Sequence, residues 1–444
     1  MRPEAGKIDA KLGTFDTAMV VVSLVVGIGI FRTPAIVARD AGTPGLFLLA
    51  WGIGGLVSLV GALVFAEIGS RHPRAGGYYR VVADCYHPAL AFSLNWAQTL
   101  MQGAGAAGVA FIGAEYLVGL LLPERRGGNI VLVVALALML VLLALNGLGI
   151  RVGAGTQNVL SMLKIVMIVG LAAFSLAPAP RAAGESIPPS TAPAGLAAAL
   201  IPVFYAYGGY HMTMNLGADV KNARRRFPLA VTAGMLTVVG LYLVLNFAYV
   251  RTLGAGGVAE SKLVAAALAR ASLGAAGERV VSVLIFLSAA GFVNATVLQM
   301  PRSYYAMGED GVLPRVFLRV DPRTQVSTAG LLLFGVTMLV PAFLLGSFEK
   351  LLNYVIFTDM LTLAVVSSTL FALRRRGEGK EGKNGTFRIP GFPILPALYV
   401  LALAAVAAHV AVTEPRLALA GTAILVTGWP LFLIGRRMSG TPAA

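Results

Sequence analysis

Stretches of about twenty apolar residues recur along this 444-residue chain, and that recurrence restricts the fold more than any other feature. A helical run of that length spans the hydrocarbon of a bilayer. Within hydrocarbon, only elements that satisfy their own backbone hydrogen bonds persist. Twelve runs stand out, near 14–40, 44–70, 88–121, 129–150, 156–178, 194–218, 227–251, 277–307, 326–346, 349–373, 393–411 and 416–436. The composition agrees, since 57% of residues are hydrophobic and 12% charged, too little polar side chain to cover a water-soluble globule of this size. The expectation is an all-α integral membrane protein with about 12 transmembrane helices. The first run has no short charged segment before it and no small-residue cleavage site after it, so it reads as a retained helix and not a signal peptide.

The formal charge of +15 does not point to nucleic acid, because the basic residues lie in short clusters between apolar runs, as in membrane loops. The lipid bilayer is the partner this charge implies. With the N-terminus inside, alternate loops hold 23 Lys and Arg on the inner side and 11 on the outer, Lys164 being the remaining one of 35. That bias places both termini in the cytoplasm and the protein in the cell membrane as a multi-pass chain. The lone Cys85 excludes an intrachain disulfide and a cysteine-based metal site. No metal or cofactor is expected, and no partner subunit is required.

Two of the runs are interrupted. "MVVVSLVVGIGIFRTP", residues 19–34, carries Gly27 and Gly29 at mid-run, although glycine costs about 1 kcal/mol relative to alanine inside a helix. "LIPVFYAYGGYHMTMNLGADVKNARRRFP", residues 200–228, carries Gly208 and Gly209. The breaks fall in runs one and six. This spacing suggests two five-helix repeats, 14–178 and 194–373, inserted with opposite orientation because five is odd. A cytoplasmic link at 374–392, two appended helices at 393–436 and cytoplasmic ends at 1–13 and 437–444 complete the division. Paired interruptions in corresponding helices are the sequence pointer to a transporter site at mid-membrane. Unwinding frees backbone groups that hydrocarbon does not satisfy, so such a segment lines a cavity or is buried in protein. Amides at Gly27, Ile28, Gly29 and Ile30, at the positive end of the second half-helix, suit a carboxylate. Carbonyls near Val25 and around 205–208 suit an ammonium group. Together these are the two charged ends of an α-amino acid. The competing reading is that the glycines only let helices approach closely, which is how "GAGAAG" at 103–108 reads, there being no strand before it.

Two charges lie deep in the runs. Lys164 falls about eight residues inside the fifth, roughly 12 Å along the axis, where it either faces the bundle interior or snorkels. Asp359, in "FTDMLTL", either pairs with a polar neighbour or titrates during transport. Glu67 and Glu115 read as solvated structural groups near run ends, and His211 as a satisfied core histidine. Gln98 and Gln102 share one helix face in the third run and, like Asn294 in the eighth, either line a substrate pocket or make polar helix contacts.

"GIGIFRTP", "AGTPGLFLLAWGIGGLVSLVGALVFAEIGSRHPRAGG", "AYGGY" with "KNARRRFP", and "FVNATVLQMPRSYYAMGEDGVLP" together resemble the amino acid-polyamine-organocation superfamily, most closely its L-type amino acid transporter branch and bacterial relatives. The resemblance runs over essentially all of the chain from about residue 10. It implies a LeuT-type fold of 5+5 inverted repeats with helices one and six unwound at the midplane, and alternating access. Carried over by position, Gly27, Ile28, Gly29 and Ile30 supply amides to the carboxylate. Val25, Tyr205 and Gly208 supply carbonyls to the amine, and Tyr205 or Phe204 forms an aromatic lid. Some relatives have serine where this chain has Ile28, so a hydroxyl contact is missing. A lysine at position 164 implies sodium independence, with proton coupling or exchange, the coupling residues being Lys164 and Asp359.

Small or medium neutral L-amino acids fit the lack of a carboxylate placed beside the breaks, while Asp359 keeps a cationic amino acid or polyamine open. A membrane-embedded enzyme finds no support, for the four histidines at 72, 87, 211 and 409 fall in no catalytic motif. A passive channel lacks a charged ring or carbonyl filter.

Overall fold

The computed structural model describes residues 8–27, 29–122, 129–176, 195–261, 263–345, 355–377 and 386–438. In chain order the helices are α1 (Thr14–Val25), α2 (Gly29–Ala41), α3 (Pro44–Arg71), α4 (Gly77–Cys85), α5 (Pro88–Leu121), α6 (Asn129–Gly147) and α7 (Ile150–Leu176). They continue with α8 (Gly195–Ala206), α9 (Ala223–Glu260), α10 (Val264–Glu309), α11 (Thr328–Leu345), α12 (Val355–Arg375), α13 (Ile394–Thr413) and α14 (Pro415–Met438). The β structure among the described residues is limited to two isolated bridges, Leu12 with Val220 and Ala75 with Leu216. The all-α membrane fold expected from the apolar runs is the fold observed.

Among the described residues nine helices are long and apolar enough to cross a membrane, and α1 with α2, taken as one bent span, makes ten. The two other expected runs are shorter than their sequence suggests. α8 stops after 12 residues at Ala206, and α11 is a shorter apolar helix. Local chemistry sets several starts. Thr43 accepts a bond from the Leu46 amide (3.2 Å) ahead of Pro44, and the His87 imidazole accepts from the Ala89 amide (3.1 Å) ahead of Pro88. Each supplies an acceptor to an otherwise unpaired first-turn amide, with proline at the position whose missing N–H costs nothing.

Three boundaries differ from the sequence expectation. α7 begins at Ile150, not 156, because helical hydrogen bonding continues through the weakly apolar stretch "RVGAGTQN", which an apolar window discounts. α9 and α10 are longer than runs seven and eight, but each bends at a glycine with positive φ, Gly254 (70°) and Gly274 (68°). Their straight portions match the expected runs. α4 falls in a stretch read as a loop, because a nine-residue helix escapes a twenty-residue window. Every residue of it except Asp84 is buried.

α10 runs between α5 and α7, and α9 packs along α1 and α3. α2 lies on α8, which brings the two interrupted runs together. At the end of the bundle where residues 8–13 lie, ion pairs lock the elements. Arg302 donates to both carboxylate oxygens of Asp219 (2.9 and 2.8 Å) and to the Gln325 carbonyl (2.9 Å). The Lys11 and Leu12 amides donate to the Asp219 carbonyl (both 2.8 Å). Arg80 of α4 pairs with Glu309 (2.6 Å) and Asp310. Glu67 is not solvated as expected. It is fully buried and accepts from Arg71, Arg374 and the Ile389 amide.

Candidate substrate site

The first break lies between α1 and α2, whose axes diverge by 43°. Ile28 falls outside the described residues, and Gly27 donates to the Val25 carbonyl (2.8 Å). α2 starts at Gly29, so its first amides have no partner within the helix. Gly29 is also where the interrupted runs touch, since a β-carbon there would lie 3.3 Å from the Ala206 α-carbon. Ile30 is fully buried just beyond.

The second break follows Ala206. Gly208 donates to the Tyr205 carbonyl (3.0 Å), Gly209 takes φ 106°, and the chain resumes as a 3-10 helix over Tyr210–Asn215. Phe204, Tyr205, Gly208 and Gly209 are half-buried while Tyr207 and Tyr210 are buried, so the break presents one open side. The Tyr242 hydroxyl of α9 lies 3.0 Å from the Val25 carbonyl and 3.2 Å from that of Ala206, binding the two breaks to a common point. Sequence reading missed this residue because one tyrosine in an apolar run carries no distinguishing signal. With the Gly27 amide already on the Val25 carbonyl, the Tyr242 hydroxyl takes its second acceptor position and leaves none for a ligand.

Lys164 is buried at 1% exposure. Counted from the true start of α7 it is fourteen residues in, about 21 Å along the axis, deeper than the sequence spacing implied. Its ammonium donates to the carbonyls of Ser23 (3.3 Å) and Val26 (2.6 Å), both freed where α1 ends. Snorkelling is excluded by that geometry. Ser161, one turn earlier, donates to the Met19 carbonyl (2.8 Å) and bonds the Ser23 hydroxyl (2.8 Å). Gln157 donates to Ser161 (3.0 Å).

Asn294 ends that same chain and does not face the breaks. Its carbonyl accepts from Asn146 (2.7 Å), and its amide donates to Gln157 (2.8 Å) and Gly153 (3.1 Å). Three of its four hydrogen-bonding positions go to helix contacts, the second of the two readings the sequence left open, and not to a substrate pocket. Gln98 does reach a polar cluster: its amide donates to Asp359 (2.7 Å) and lies 3.3 Å from the Tyr78 hydroxyl. Asp359 is half-buried on α12, within electrostatic reach of Tyr78, Tyr205, Tyr210 and Tyr399. Gln102, one turn along from Gln98, is half-buried. Among the described residues no group of His, Cys, Asp and Glu is arranged to hold a metal ion.

Two backbone interruptions thus meet, one offering amides, the other carbonyls, with a buried ammonium behind the first and a carboxylate near the second. Comparison with known proteins finds relatives over nearly the whole chain. The profile of the amino acid permease family matches residues 12–430. The serine/threonine exchanger SteT of Bacillus subtilis (strain 168) is 26% identical over 408 residues, covering 90% of this chain and 91% of its own. The human b(0,+)-type amino acid transporter 1 is 24% identical over 383 residues, covering 84% and 77%. The human large neutral amino acids transporter small subunit 2 is 25% identical over 458 residues, covering 98% and 83%.

Proposed function

The chain belongs to the amino acid permease family, and from that premise we propose that it exchanges small or medium neutral L-amino acids across the cell membrane by alternating access, with both termini in the cytoplasm. The observation that carries the reading is the meeting of the two breaks. The unpaired amides at the start of α2 face a carboxylate, as helix N-termini do. The carbonyls of Tyr205 and Gly208 receive the ammonium, while that of Val25 is already occupied by the Gly27 amide and the Tyr242 hydroxyl. Phe204 and Tyr205, half-buried at the end of α8, cover the ligand. Recognition therefore rests on groups that every α-amino acid shares, and the side chain is read elsewhere.

Lys164 supports sodium independence. Its ammonium occupies the carbonyls at the end of α1 and is a fixed cation in a place that would otherwise need a mobile one. Asp359, held by Gln98 and, among the described residues, by no cation, is the second candidate for coupling. The two five-helix repeats, 14–178 and 194–373, are the bodies whose relative motion opens the breaks to each side in turn. The ion pairs Asp219–Arg302 and Arg80–Glu309 lie where the cytoplasmic side closes.

Uptake of labelled serine or leucine into proteoliposomes tests the assignment. Saturable uptake that requires unlabelled neutral amino acid inside is expected. Uptake that rises linearly with concentration would indicate a pore, and saturable uptake indifferent to internal amino acid would reject exchange.

A further inference from the structure

A cleft opens beside the second break, between α3, the 3-10 segment Tyr210–Asn215, α12 and α13. Val57, Leu363 and Leu403 form its apolar walls, buried His211 lies at its inner end, and half-buried Gly208 lines it on the side of the break. Partly exposed Val57, Ala402 and Val406 mark its outer edge on the apolar surface of the bundle. The polar groups at the inner end are unequally served. The Tyr210 and Tyr399 hydroxyls bond each other (2.7 Å). His211 has no such partner. It is 1% exposed, its ring is 5.6 Å from those of Phe65 and Tyr78 and 5.8 Å from that of Tyr210, and neither Nδ1 nor Nε2 is hydrogen-bonded. This contradicts the sequence expectation of a satisfied core histidine. A neutral imidazole offers one donor and one acceptor, and burying both unpaired is destabilising.

We propose that this cleft receives the side chain of the transported amino acid and that His211 hydrogen-bonds a neutral hydroxyl or carboxamide on it. The inference rests on the reading that the breaks hold the amino acid's charged ends. Gly208 belongs both to the break and to the cleft, so a ligand whose ammonium meets its carbonyl has its side chain at the cleft from the start. Among the described residues no Lys, Arg, Asp or Glu lines the cleft, and the nearest charge, Asp359 within electrostatic reach of Tyr210 and Tyr399, is negative, so an anionic side chain would be buried there without a counter-charge. A lipid chain entering from the outer edge would press its methyl end on the imidazole and leave both nitrogens unbonded. The polarity of the cleft, apolar outward and polar inward, fits a guest that enters from the break.

Competition for exchange by pairs of nearly equal shape separates these cases. In the wild type, threonine should compete about tenfold better than valine, and glutamine about tenfold better than methionine, the value of one additional hydrogen bond. His211→Phe, which keeps an aromatic ring, should bring both ratios to within about twofold, and His211→Gln should restore part of the difference. Leu403→Trp, which fills the cleft, should lower the leucine-to-alanine competition ratio about tenfold. Unchanged threonine-to-valine and glutamine-to-methionine ratios in folded His211→Phe would mean that ordered water satisfies the imidazole and would overturn the proposal. An unchanged leucine-to-alanine ratio in Leu403→Trp would make the cleft a lipid-filled crevice and would overturn it equally. Failure of the underlying reading is separately visible, because the methyl ester of alanine would then compete as well as alanine, whatever the side-chain ratios do.

Discussion

Gly209→Ala should reduce exchange by at least about a hundredfold while leaving a protein that purifies as a monodisperse species. At φ 106° a non-glycine residue is strained by about 1–3 kcal/mol. The added β-carbon would also lie 2.4 Å from the Leu24 carbonyl oxygen and 2.9 Å from its carbon. Leu24 is backbone at the end of α1, so relief requires the two interrupted runs to move apart. That separation pulls the carbonyls of 205–208 away from the amides of α2 and lengthens the span between the carboxylate and ammonium sites. A loss of about 2.7 kcal/mol suffices for the hundredfold effect. Gly240→Ala is the matched control, because no atom lies within 4 Å of its added β-carbon. Uptake and size-exclusion profiles of the two variants check the result. Comparable activity in both would show that close apposition at Gly209 is not needed.

Replacing Lys164 has the second large expected effect. Its ammonium fills two carbonyls at the end of α1, and among the described residues no carboxylate pairs with it. Lys164→Ala removes that brace and leaves the Ser23 and Val26 carbonyls facing a void, so the uptake rate should fall by about one to two orders of magnitude, the effect of about 1.4–2.7 kcal/mol. If Lys164 also carries the coupling proton, the wild type should accelerate under an imposed inward proton gradient and the variant should not. Proteoliposome uptake with and without the gradient distinguishes the cases. A variant that still responds as the wild type does would transfer the coupling role to Asp359. A wild type that ignores the gradient but requires internal substrate would make Lys164 a fixed cation and the protein an exchanger alone.

The parts legible in the sequence are those with local signatures. The membrane helices are visible because each is a continuous apolar run, and the breaks because glycines interrupt two of them. Lys164 and Asp359 stand out as charges among apolar neighbours. What escaped depends on distance in the chain or on helix ends. Asp219 and Arg302 are 83 residues apart and neither is unusual alone, yet they form a buried two-pronged ion pair. Tyr242 acquires its role only when α9 passes both breaks. The depth of Lys164 was underestimated because α7 begins in a stretch of low hydropathy, and α4 was missed because it is only nine residues long. Asn294 had equal claim to the pocket and to helix contact and makes three helix contacts, while His211 was taken as satisfied and proved unpartnered. For an isolated polar residue in an apolar run, the sequence does not reveal which neighbours arrive to pair with it.

The claim on which the rest depends is that backbone groups at the two breaks hold both charged ends of the substrate. Competition against labelled-substrate exchange by one amino acid, its methyl ester and its N-acetyl derivative tests it most directly, since all three share a side chain. Each modification removes one charged end, so each derivative should compete at least about a hundredfold more weakly than the parent, a loss of about 2.7 kcal/mol in keeping with a charge-assisted hydrogen bond. An ester or acetyl derivative that competes as well as the parent amino acid would contradict the account.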